Sequence, residues 1–138
     1  MSRKSARETL FKLVFEYCIT NDNNKFSFTA LTDGMNEDDF GYVSQTFEGI
    51  IQQYNFLTEK ISAYSNEFVF ERIYKIDLAL LLVAVYEIYF LDSIPDSVSA
   101  NEATELSRTY STDKSYSFVN GILASIIKEK NNNVGKNN

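Results

Sequence analysis

The sequence predicts an all-α fold, and three observations carry that reading. Apolar residues recur at helical spacing in each segment long enough to judge, and sustained strand-like alternation is nearly absent. Chain breakers are few, with one proline and five glycines among 138 residues. The longest apolar run, Leu78 to Leu91, carries no turn residue. An apolar share of 44% at this length suits one domain with a real core. We place that domain at 1–130 and expect the polar, Asn-rich stretch 131–138 to be a disordered tail.

The first helix spans about Ser5 to Ile19, with Ala6, Leu10, Leu13, Val14, Tyr17 and Cys18 on one face. A short second helix runs from Lys25 to Leu31. The third covers Asp38 to Tyr64, striped by Phe40, Val43, Phe47, Ile50, Ile51, Tyr54, Leu57, Ile61 and Tyr64, and is long enough to break near Gln53–Asn55. Glu37-Asp38-Asp39 just before it suits the positive end of a helix dipole. A helical turn over Phe68–Tyr74 leads into Lys75–Leu91, which is apolar around nearly its whole circumference and therefore belongs at the centre. Two acids interrupt it, Asp77 and Glu87; each needs a partner or an exit to water, and Glu87 reads as a satisfied structural acid. Pro95 marks a stop, Ser97 or Ser99 a new N-cap, and helices follow over Ser97–Tyr110 and Ser115–Lys130. The central run falls short of the roughly 18–20 residues a bilayer span needs, so no membrane is expected.

Composition removes several chemistries. The chain has no histidine, hence no imidazole base and no His-bearing zinc site. The single cysteine, Cys18, forms no internal disulfide and suits a reducing cytoplasm. The glycines are too scattered for a phosphate-cradling loop. We expect no enzyme, no cofactor and no metal. A net charge of −6 repels phosphate overall, so a nucleic-acid role must rest on a local basic patch.

The first helix offers one. With about 100° per residue, its core face centres between Leu10 and Tyr17, which turns Phe15 and Phe11 outward. Lys4 and Lys12 lie beside them, with Arg3 and Arg7 one row over. Cations for phosphate next to rings for unpaired bases suit single-stranded RNA. In the competing reading both rings pack under another helix and the bases are only solvated.

Three ordered stretches resemble the NusB family of transcription antitermination factors: Tyr74–Ile88 (YKIDLALLLVAVYEI), Ile94–Leu106 (IPDSVSANEATEL) and Phe118–Leu123 (FVNGIL). Ser5-Ala6-Arg7-Glu8 with Phe15 is similar to the family's N-terminal motif, and Tyr42–Ile50 aligns loosely with its third helix. The resemblance implies about seven helices in two small bundles sharing the central helix. It implies binding of boxA-type single-stranded RNA in ribosomal RNA leaders, pairing with a small-subunit ribosomal protein (NusE), and action with other Nus factors on RNA polymerase.

Carried over by position, the RNA side falls on Arg3, Lys4, Arg7, Lys12, Phe15, Lys114 and Phe118, and the protein-partner side on Phe11, Phe15 and Asp77. The family often has Arg where Leu82 stands and an acid where Lys114 stands; Lys114 adds attraction to phosphate. A helical protein–protein interaction module or homodimer without RNA binding is the alternative, so the chain is expected to be a monomer or a homodimer. NusB-like domains also precede RNA methyltransferase domains, a reading not expected here because so few residues remain after the last helix for a cofactor fold.

Overall fold

A computed structural model describes residues 3–65 and 70–137. Among the described residues it contains seven α-helices and no strand: α1 (Arg3–Thr20), α2 (Lys25–Thr32), α3 (Glu37–Gln52), α4 (Tyr54–Tyr64), α5 (Lys75–Phe90), α6 (Asp96–Tyr110) and α7 (Asp113–Asn137). A single 3-10 turn, Phe70–Arg72, precedes α5. It realises part of the turn expected over Phe68–Tyr74; positions 68 and 69 lie outside the described residues. No helix among the described residues is long and apolar enough to cross a membrane.

The expected break in the third segment falls at Gln53, whose backbone N–H still bonds the Gly49 carbonyl at 2.9 Å, and α4 begins at the next residue. Asn24 caps α2 and Asn36 caps α3, each accepting a backbone N–H from the first turn, and Glu37, Asp38 and Asp39 occupy that turn of α3 as expected. At α6 the expectation was different. Neither Ser97 nor Ser99 caps it: the helix opens at Asp96 directly behind Pro95, with no side-chain cap, and Ser99 turns inward.

Helix α5 is the shared element. It packs against α1, α3, α4, α6 and α7, while α1 also packs on α2 and α3, and α7 on α4 and α6. This is the arrangement of two small bundles about a central helix. Every residue from Asp77 to Val85 is buried, including Leu82, where an arginine would have had no exit to water.

Helix α7 runs on to Asn137, through the stretch expected as a tail, and is anchored just before that stretch. Ile126 is fully buried; Glu129 accepts from Lys60 at 3.0 Å and from Tyr64 at 2.7 Å. Lys130 donates to the Ile88 carbonyl at 2.7 Å and to Asp96 at 3.0 Å, satisfying the C-terminal end of α5. Long-range anchors of this kind leave no trace in local composition.

One glycine sets the approach of α3 to α5. A Cβ on Gly49 would overlap the Tyr86 hydroxyl and ring. Gly49→Ala is therefore expected to cost about 1–3 kcal/mol through overpacking, against a helix-propensity gain of about 1 kcal/mol. In a Tyr86→Ala background the sign should invert and Gly49→Ala should stabilise. Urea midpoints of the four chains measure this; destabilisation that persists without the Tyr86 ring would reject the assignment.

Candidate nucleic-acid interface

The first helix divides its cations between two faces. Arg3 and Arg7, one turn apart, look toward α3 and α5; Lys4 and Lys12, two turns apart, look toward solvent near the end of α6. Arg7 is buried, and its Nε and Nη2 reach the two oxygens of Glu87 at 2.9 and 3.0 Å. Glu87, fully buried, also accepts from the Tyr42 hydroxyl and from Ser99 at 2.7 Å. The acid on the central helix is thus satisfied structurally, as expected. Burial works against the charge of Arg7, but the Glu87 bond and charge more than offset it and raise its pKa. Burial and the Glu87 charge push the Tyr42 phenol far up, so it remains a donor.

Arg7 is therefore corrected from an exposed phosphate ligand to a core residue. Arg3 is exposed but already engaged. Its guanidinium lies 4.4 Å from the Tyr42 ring centroid and 3.5 Å from Asp39. It borders an open groove of about 400 Å³ that Glu37, Asp38, Tyr86 and Ile94 also line. A polyanion entering there meets two acids before it meets the arginine.

Phe11 is the second correction. Expected as an outward ring, it is only 3% exposed, wedged among Leu80, Val83 and Ala84 of α5 and Ala103 and Leu106 of α6, with Tyr110 at 5.2 Å. The helical wheel placed it away from the α1 core stripe correctly, but α6 covers that side. Phe15 stays half-buried beside it, 6.3 Å from Phe11.

Asp77 is the third. Placed by the resemblance on a partner surface, it is buried and accepts from Ser115 at 2.9 Å and Ser111 at 3.2 Å, tying α5 to the α6–α7 turn. Burial raises its pKa against the pull of the two serine bonds. Cys18 is also buried, which lifts its thiol to about 11 and leaves it no nucleophile.

What remains on the outer side is coherent. Lys4 and Lys12 are exposed on α1, with Glu8 between them, 3.8 Å from Lys12. Glu8 also bonds Tyr110, so this face runs on into the end of α6 and then to exposed Lys114 on α7. Phe118, one turn further along α7, is half-buried against the core. Sequence reasoning missed Arg108, Tyr110 and Tyr116 at the same turn. The signal was present as RTYSTDKSY, a run of cations and rings around a helix break.

Residues 4–128 match the sequence model of the NusB family. The transcription antitermination protein NusB of Finegoldia magna is 36% identical over 134 residues, covering 96% of this chain and 98% of that one. NusB of Clostridium acetobutylicum is 38% identical over 133 residues, 92% of this chain and 96% of its own. Among solved structures, T. maritima NusB superposes with a TM-score of 0.84 at 28% identity, covering 94% of this chain and 92% of that one. A NusB solved with NusE and dsRNA shares the fold at a TM-score of 0.77 and 23% identity, over 92% and 96% of the two chains. Matched along nearly its whole length by sequence and by fold, the chain belongs to the NusB family.

Proposed function

We infer that this chain is a transcription antitermination factor: a cytoplasmic, non-catalytic scaffold, without cofactor, that holds boxA-type single-stranded RNA together with the ribosomal protein NusE. The assembly then acts, with other Nus factors, on RNA polymerase. The observation that carries this is the close similarity to proteins named for transcription antitermination, over almost the full length of both partners. The outer face of α1 supports it as the surface for RNA in this reading. Lys4, Lys12 and Lys114 supply phosphate contacts, and Phe15 and Phe118 supply ring surface. The acidic remainder of a molecule of net charge −6 disfavours indiscriminate RNA.

Titration of a boxA-like RNA oligonucleotide, alone and with NusE, tests the assignment. Affinity gained only in the mixture is the expected result; a tight dimer indifferent to RNA would overturn it. Lys4→Ala, Lys12→Ala and Lys114→Ala should each flatten the slope of log K against log salt by about 0.7. Arg7→Ala, compared under conditions where the chain is folded, should leave that slope unchanged. A loss of slope on removing Arg7 alone would return that residue to the interface.

A further inference from the structure

The α6–α7 turn carries a planar cation already stacked on a ring. The Arg108 guanidinium lies 4.3 Å from the centroid of Tyr116. Arg108 is exposed and Tyr116 half-buried, so the ring is seated while the guanidinium face turned away from it stays open to solution. Glu105 and Asp113 stand close enough to act on the Arg108 charge. The Tyr116 hydroxyl and these two acids hold the side chain as a cation, and its planar guanidinium is exposed. Two residues before Tyr116, Lys114 is exposed and cationic. Two residues after Arg108, Tyr110 joins the turn to α1 through Phe11, 5.2 Å away, and through Glu8.

We propose that the Arg108–Tyr116 stack is a base platform: an unpaired nucleobase lies on the open guanidinium face while its neighbouring phosphate rests at Lys114. Guanidinium planes and aromatic rings are the surfaces on which splayed RNA bases stack, and the guanidinium suits this better than an ammonium. The platform lengthens the RNA path from α1 across the end of α6 onto α7. It rests on the RNA-binding reading above and adds to it the residues that take a base rather than a phosphate.

The test is an abasic scan of a boxA-like single-stranded RNA against the full chain in the presence of NusE, repeated with Arg108→Ala, Arg108→Lys and Tyr116→Ala. In the unmodified protein one abasic position should weaken binding by roughly 5- to 100-fold, the range of one stacked base. In Arg108→Ala and Tyr116→Ala the intact RNA should bind that much more weakly, and the penalty at that one position should vanish. Arg108→Lys should keep the salt slope yet fail to restore the penalty, because the charge is retained and the plane is lost. Far-ultraviolet dichroism and thermal melting confirm that each variant is folded, as expected for changes at an exposed and a half-buried site. An abasic profile unchanged in Arg108→Ala, or fully restored in Arg108→Lys, overturns the platform while leaving RNA binding in place. If the unmodified chain binds no RNA with or without NusE, both readings fall together.

Discussion

Replacing Glu87 with alanine is expected to lower folding stability by about 3–5 kcal/mol, the cost of breaking a buried ion pair from one side. The change removes the acceptor of every bond in the cluster at once. Arg7 would be left as a buried cation, and the Tyr42 and Ser99 hydroxyls would lose a partner beside a cavity of only about 10 Å³, the lower limit for a single water. Against a typical stability of about 5–15 kcal/mol, that is about a fifth of the whole at the least. Tyr42→Phe should cost far less, about 1–2 kcal/mol, since one hydroxyl is removed and the ion pair stays. Replacing the set together, as R7M/Y42F/E87L/S99A, should recover most of the loss, because both charges and both orphaned hydroxyls disappear and apolar volume fills the site. Urea denaturation of the three variants reads this out. A Glu87→Ala penalty under 1 kcal/mol would show that water or a neighbouring side chain replaces the carboxylate, and that the cluster does not fasten α1, α3 and α6 to α5.

How far the sequence reveals these features depends on what each one requires. The centre of the fold was legible because Leu78–Val85 is apolar on every side, and only a helix surrounded by others can bury such a surface. The break at Gln53 was legible from length. The need of Glu87 for a partner was legible too, since an acid in that run cannot stay unpaired. Its partner was within reach of the same logic: Arg7 stands three residues before Leu10 and seven before Val14, on the buried stripe of α1. The cluster of cations at the start of α1, and then the family likeness, instead placed Arg7 among the phosphate ligands. What no periodicity carries is which helix lies over a given flank. The covering of Phe11 by α6, the inward turn of Ser99, the two serines on Asp77 and the Lys130 bond to α5 are all made between residues 12 to 95 positions apart, or 99 in the case of Phe11 and Tyr110.

The same distinction between covered and open flanks separates two neighbouring rings by experiment. Phe11→Ala should cost about 3–5 kcal/mol of stability, because a ring enclosed by α5 and α6 leaves a cavity that rigid helices fill poorly. RNA affinity, measured where the variant is folded, should hardly move. Phe15→Ala should behave in the opposite way. Its ring is half-buried and partly open, so truncation should remove under about 1.5 kcal/mol of stability, on the order of two methylene groups' burial. Binding of RNA or of NusE should fall by roughly 5- to 100-fold if a base or partner side chain rests on the ring. The two residues sit one helical turn apart on α1, 6.3 Å between ring centres, so helix propensity and local charge are the same for both substitutions. Any difference between them therefore reports what lies over each ring. Equal and large stability losses would make Phe15 core, strip the outer face of α1 of its exposed ring, and leave Lys4, Lys12 and Lys114 as a purely electrostatic contact with RNA.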